Sequence, residues 1–376
     1  MKKILLVDDS ALMRRALCDI LTADGKYEVT GQAKDGKQAL EMILTNLYDV
    51  VILDVHMPRM NGMELLRELQ KQSIQMKIIL VSAATKEGTG ITTEALELGV
   101  ADFITKPGSF LLVEREEFAT NLLRVVDTVA SRKNIVRKSS SRDACKVPSS
   151  HRERVRTVAH SEGDRRGHIS STARPTVKYD PSDRCEWIVA IASSTGGPKA
   201  LQDMMKMIPE KINAPIVIVQ HMPMGFTKSF SQRLDSLCRF SVEEAREGEA
   251  IIKGNAYLGM GGMHLNIVMK NGVHTIHYSD QPMRVGVKPC ANYMYESLVQ
   301  SRYKKILCVV LTGMGSDGTE GIVELNKHKS IEVIAQDKGT CVVYGMPQSI
   351  TKTGLVKQNY PIDEIANQII KNVGVR

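Results

Sequence analysis

Short apolar runs alternate with amphipathic stretches along most of the chain. In the first third, strand-like runs fall at Ile4–Val7, Glu28–Gln32, Val50–Leu53, Lys77–Val81 and Asp102–Ile104. Between them, Ala11–Thr22, Lys37–Leu44, Gly62–Gln70 and Thr92–Leu98 carry apolar residues at helical spacing, and a final helix is expected over Glu114–Val129. Five strands alternating with five helices predict an α/β sandwich around a parallel sheet. The alternation returns in the C-terminal half. Trp187–Ala192, Ala214–Gln220 and Lys305–Leu311 read as buried strands, and Lys199–Met207 and Thr227–Leu237 as helices. The stretch Glu249–Tyr278, with frequent Gly, Asn and His, reads as short antiparallel strands joined by turns. This half is expected to be a mostly parallel, doubly wound α/β domain with a small antiparallel portion.

The pattern breaks between the two halves. Residues 131–184 are poor in large apolar side chains, include the run Ser139-Ser140-Ser141, and hold 14 Lys/Arg against 6 Asp/Glu. The rest of the chain carries 36 of each sign, so the whole net charge of +8 sits in this one segment. Low hydrophobicity with high charge cannot offset chain entropy by burial, which predicts a flexible basic linker over 131–184, between domains at 1–130 and 185–376. Charge confined to a linker argues against a nucleic-acid-binding fold. The longest apolar runs, such as Ile306–Leu311, are too short to cross a bilayer, so no membrane insertion is expected. No cleavable signal pattern follows Met1-Lys2-Lys3, and none of the seven cysteines forms a Cys-x-x-Cys pair. Reduced, packed thiols and a cytoplasmic location are expected.

Chemistry gathers at the strand ends. Asp8 and Asp9 follow the first strand, Asp54 the third, Ser82 the fourth and Lys106 the fifth. Ligands of open parallel sheets bind beyond the carboxyl ends of the strands. Three carboxylates brought together there repel one another, and a hard divalent cation such as Mg²⁺ relieves this while neutralising an incoming phosphoryl group. One carboxylate can then act as nucleophile, with Lys106 and Ser82 contacting phosphoryl oxygens. The motifs Val7-Asp8-Asp9-Ser10, Leu53-Asp54-Val55-His56-Met57-Pro58, Val81-Ser82-Ala83 and Thr105-Lys106-Pro107 resemble the response-regulator receiver family, a flavodoxin-like fold. The resemblance implies that Asp54 is the phosphoacceptor. It also implies that Asp8, Asp9, Asp54 and the main-chain carbonyl of His56 hold Mg²⁺, that Phe103 is a switch aromatic, and that a histidine kinase is the phosphodonor.

In the second half, Trp187–Ala192 runs into Ser193-Ser194-Thr195-Gly196-Gly197-Pro198, and Ala214–Gln220 runs into His221-Met222-Pro223. Lys305–Leu311 runs into Thr312-Gly313-Met314-Gly315-Ser316-Asp317-Gly318. Ser194, His221 and Asp317 thus fall on one sheet edge, where serine can attack a carbonyl, histidine take its proton and aspartate hold the imidazole tautomer. Main-chain N–H groups at Thr195 and Gly196, opening a helix, and at Met314 can donate to an oxyanion. Alternatives are a helix cap or a phosphate cradle for the serine-glycine turn, though the spacing lacks Gly-x-Gly-x-x-Gly. His264, His274 and His277 suit polar strand faces better than a metal site.

These segments, with Cys341-Val342-Val343-Tyr344-Gly345-Met346-Pro347, are similar to the chemotaxis-type protein-glutamate methylesterases. The resemblance implies a phosphorylation-activated hydrolase that removes methyl esters from chemoreceptor glutamates and deamidates selected receptor glutamines, with no cofactor for hydrolysis. It places the triad on Ser194, His221 and Asp317. Two stretches depart from the family: Lys288-Pro289-Cys290-Ala291-Asn292 where Arg-Pro-Ser-x-Asp is expected, and Tyr257-Leu258-Gly259-Met260-Gly261-Gly262 in place of an Ala-Pro-Gly-Asp-type run. Neither is expected to touch the triad.

Overall fold

The computed structural model describes residues 1–23, 25–82, 94–95, 98–106, 112–131 and 185–375. Apart from Ser131, the predicted linker lies outside the described residues, as does most of the predicted helix Thr92–Leu98.

In the N-terminal portion, β1 (Lys2–Val7), β2 (Tyr27–Ala33), β3 (Val50–Asp54), β4 (Ile78–Ser82) and β5 (Asp102–Thr105) form a parallel sheet in the order β2-β1-β3-β4-β5. The helices α1 (Ala11–Thr22), α2 (Gly36–Thr45), α3 (Gly62–Lys71) and α4 (Leu112–Ala130) accompany it. Each of the first three begins where a polar side chain can accept from an otherwise unpaired N–H. Ser10 accepts from Met13, Asp35 from Gln38, and Asn61 forms a reciprocal capping box with Glu64. Strands β3 and β4 are buried along their whole length because both sheet faces are covered.

The C-terminal portion is built around β6 (Trp187–Ser193), β7 (Ile216–Gln220), β8 (Val242–Glu244), β9 (Ala256–Leu258), β12 (Lys305–Val310), β13 (Ser330–Gln336) and β14 (Asn359–Tyr360), with β10 (His264–Lys270) and β11 (Val273–Ser279) apart from them. Seven strands form one parallel sheet in the order β14-β13-β12-β6-β7-β9-β8. Strands β10 and β11 pair antiparallel with each other. The helices are α5 (Gly197–Met205), α6 (Phe226–Leu237), α7 (Ala291–Ser297), α8 (Thr319–Asn326), α9 (Met346–Lys352) and α10 (Ile362–Val373).

The chain leaves β6 toward β7 on one side and later returns to place β12 on the other. The carboxyl ends of β12, β6 and β7 therefore lie side by side at the point where strand order reverses, the position at which such sheets bind ligands.

Two expectations shift. Within the stretch expected to be antiparallel, Ala256–Leu258 instead joins the parallel sheet, because all three of its residues are buried. A three-residue strand is too short for periodicity to separate the two cases. The third and fourth strands also reach one residue further than predicted, so Asp54 and Ser82 end β3 and β4 rather than follow them.

Ile191, fully buried in central β6, tests this packing. Ile191→Ala should destabilise the C-terminal portion by ~2–5 kcal/mol, read as a lower urea midpoint. A loss below ~0.5 kcal/mol would contradict the central position of that strand.

Candidate active site and acidic pocket

At the end of β6 the chain turns sharply into α5. The Ser194 N–H donates to Thr312 O at 3.0 Å and the Gly197 N–H returns to Ser194 O at 2.7 Å, fixing the turn. Gly196 caps the helix at φ +78°, and a Cβ there would come within 2.2 Å of Val342. Both the backbone conformation and the close approach require glycine. Val342 belongs to the Cys341–Pro347 segment, whose Val343 N–H donates to the Thr312 hydroxyl, while that hydroxyl donates to Thr195 O at 2.9 Å.

A buried glutamine ties this turn to the next strand. Gln220 Nε2 donates to the main-chain carbonyls of both Ser194 and His221, each at 3.0 Å, while its Oε1 accepts from Ser193 Oγ at 2.7 Å. Ser193 is thereby committed inside the protein, which distinguishes it from Ser194.

His221 Nε2 donates to Asp317 Oδ2 at 2.7 Å. The other ring nitrogen, Nδ1, is buried and has no hydrogen-bond partner among the described residues. No hydrogen bond joins Ser194 Oγ to His221 in this structure. Ser194 and Asp317 are both buried, and His221 keeps a tenth of its side chain exposed. The main-chain N–H groups of Thr195, Gly196 and Met314 have no partner among the described residues.

Asp317 is the most heavily bonded group in the site. Oδ2 accepts from His221 and from Ala291 N at 2.6 Å. Oδ1 accepts from Cys290 Sγ at 3.0 Å, Asn292 N at 3.1 Å and Gly318 N at 2.8 Å. Burial works against ionisation, but the hydrogen bond and charge of His221, then Cys290 and Ala291, outweigh it and hold the carboxyl at about 2. The expectation that Lys288–Asn292 stays clear of the triad is corrected: Cys290, Ala291 and Asn292 all bond directly to Asp317. The second departing stretch also approaches the site, since a Cβ on Gly261 would lie 2.1 Å from Pro223 O, on the loop after His221.

The three further histidines do not gather. His274 stacks on Tyr303 and His277 bonds to Glu247, as strand-face residues do. His264 is different: fully buried, it accepts at Nδ1 from Cys290 N at 3.1 Å. Sequence reasoning missed Gln220, Cys290 and His264 as parts of this site. The only signals were the position of Gln220 beside His221 and the unusual residues at 290 and 292.

In the N-terminal portion, one oxygen of each of Asp8, Asp9 and Asp54 lies within 4.8 Å of the others. This all-oxygen acidic donor set suits a hard divalent cation such as Mg²⁺. Lys106 Nζ bridges Asp8 at 2.9 Å and Asp54 at 2.8 Å. Burial, only partly countered by Lys106, pushes the Asp54 carboxyl above the usual range. Burial also acts to lower the Lys106 ammonium, but Asp54 and Asp8 together outweigh it and raise it. Ser82 is buried at the end of β4, and the His56 side chain is exposed on the loop after β3.

Described side chains link the portions, which belong to one compact unit. Phe103 on β5 stacks on Phe226 of α6 with centroids 5.2 Å apart, and Thr128 Oγ1 on α4 lies 3.2 Å from Met314 Sδ.

Residues 4–114 match the response regulator receiver domain, and residues 189–369 match the CheB methylesterase family. A protein-glutamate methylesterase/protein-glutamine glutaminase of Pyrococcus horikoshii is 38% identical over 375 residues, covering 99% of this chain and 94% of its own length. The chain belongs to the CheB methylesterase family. A relative of the same name from Geobacillus kaustophilus is 36% identical, with 99% of each chain covered. Among solved structures, the Thermotoga maritima CheB methylesterase catalytic domain is 39% identical and matches with a TM-score of 0.48, covering 50% of this chain and 98% of that one. No helix among the described residues is long and apolar enough to cross a membrane.

The depressed Asp317 carboxyl has a stability consequence. A carboxyl near 2 in the folded state and about 3.9 unfolded contributes stability that is fully present above pH ~4 and lost as pH falls toward ~2. The stability difference between wild type and Asp317→Asn should therefore narrow as pH falls below ~4, measured by urea melts across that range. A difference that grows as pH falls from ~4 to ~2 would contradict the ionised, five-donor carboxylate.

Proposed function

We propose that the chain is a phosphorylation-controlled hydrolase of methyl-esterified glutamates on chemoreceptors, with deamidation of selected receptor glutamines by the same route. The observation that carries this reading is the His221–Asp317 pair beside the Ser194 turn, at the strand-order reversal of a family member. Ser194 Oγ attacks the ester carbonyl and passes its proton to His221. Donation of Nε2–H to Asp317 leaves the Nδ1 lone pair to receive that proton. The tetrahedral oxyanion is met by N–H groups of Thr195, Gly196 and Met314. His221 then protonates the leaving methoxide, releasing methanol, or the amide nitrogen, releasing ammonia. A water, deprotonated by His221, hydrolyses the acyl-serine and restores Ser194. Catalytic hydrogen bonds often tighten only with substrate present, so the unmade Ser194–His221 bond fits a resting site. The hydrolysis uses no cofactor.

The N-terminal domain, residues 1–130, is the control element. Asp54 accepts a phosphoryl group from a chemotaxis histidine kinase, and Lys106 and Ser82 contact its oxygens. Asp8, Asp9, Asp54 and the main-chain carbonyl of His56 would hold Mg²⁺, which supplies charge neutralisation for phosphoryl transfer. The Phe103–Phe226 stack supports a route for control, because Phe226 lies five residues beyond His221 and Phe103 is the switch aromatic. Phosphorylation loosens that contact and opens the catalytic domain, residues 185–376. Residues 131–184 act as a cytoplasmic tether between the two.

Ser194→Ala should lower methanol release from methylated receptor membranes by roughly 10⁴-fold while leaving phosphorylation intact. Activity within tenfold of wild type would move the nucleophile elsewhere. Asp54→Asn should abolish acyl-phosphate formation and the phosphodonor-stimulated rise in rate without changing basal turnover. A variant still stimulated by phosphodonor would remove Asp54 from its role.

A further inference from the structure

Four of the five donors on Asp317 are either the imidazole it orients or main-chain amides that no side-chain substitution removes. The fifth is a thiol. Cys290 is fully buried, with Sγ 3.0 Å from Oδ1. Burial first, and then the Asp317 charge, pushes this thiol up to about 12, so it carries its proton and can only donate to the carboxylate. Behind it, His264 accepts from Cys290 N, and its ring meets Tyr293 edge-on with centroids 4.7 Å apart. That contact holds the Cys290 main chain at the fixed position from which the thiol reaches Asp317.

The other ionisable groups facing Asp317 are few. His221 approaches from the end of β7 and His264 from β10, with Lys288 acting on His264. Tyr295 lies on α7, but its hydroxyl sits between the carbonyl oxygens of Ala190 and Val309, which share its proton, and not on the carboxylate.

We propose that Cys290 is a positioning residue: its S–H pins Asp317 Oδ1 so that Oδ2 faces His221, and it sets how much negative charge the carboxylate presents to the imidazole. This rests on the triad assignment above. A thiol is a weaker donor than a hydroxyl, so the carboxylate keeps more of its charge with cysteine than with serine at this position. With no donor it keeps more still, but it loses one of the three bonds that fix Oδ1. A more basic carboxylate favours the protonated imidazole more strongly, and that form cannot accept from Ser194.

The test is the pH dependence of kcat and kcat/KM for methanol release by the full-length protein, comparing wild type, Cys290→Ser and Cys290→Ala. The acid limb should move to lower pH in Cys290→Ser and to higher pH in Cys290→Ala. In Cys290→Ala, kcat at the plateau should also fall about three- to tenfold, the worth of one hydrogen bond, with KM unchanged. Superimposed profiles, or a serine variant that shifts in the same direction as alanine, overturn the proposal. If the alanine variant does not fold, the serine variant decides alone: an acid limb that stays in place overturns the proposal. Full activity of Ser194→Ala in the same assay would instead sink the triad assignment, which separates the two failures.

Discussion

The C-terminal site depends on one buried negative charge. A carboxylate removed from water is expensive unless every lone pair is answered, and Asp317 is answered by five donors from three segments of chain. The segment around residue 290, the glycine turn after β12 and the histidine after β7 must all be in place before that charge is stable. Orientation of His221 and stability of the fold are thus parts of the same interaction. The seven-stranded sheet provides the frame, because its order reversal sets the ends of β12, β6 and β7 together.

The acidic pocket of the N-terminal portion solves the opposite problem. There, carboxylates from separate strand ends are kept close with too few donors of their own, and Lys106 spans two of them. Burial raises Asp54, so the pocket gains from an added positive charge, whereas Asp317 is already satisfied. The Phe103–Phe226 stack and the Thr128–Met314 contact join the two portions.

Much of this was legible from residue pattern. Runs that are apolar throughout marked the buried central strands, and polar residues at their ends marked both sites, because parallel sheets expose chemistry at their carboxyl edge. Boundaries drifted where a residue is both strand end and site, as at Asp54 and Ser82. The three-residue strand Ala256–Leu258 carried too little pattern to be assigned. The supporting shell was harder to read for a different reason. Cys290 and His264 lie 27 and 53 residues before Asp317 in the chain, and only the folded hairpin and α7 bring them to it. The Lys288–Asn292 departure was visible in the sequence, but its contact with the triad was not.

We propose that the Asp317–His221 pair activates Ser194 and no other serine. Covalent labelling by a fluorophosphonate, with the modified residue located by peptide mass spectrometry, tests this without depending on the receptor substrate. Wild type should be labelled at Ser194 alone. Labelling should slow by orders of magnitude in Asp317→Asn, where the imidazole loses its anionic partner. Labelling at Ser193, or an unchanged rate at Ser194 in Asp317→Asn, would contradict it.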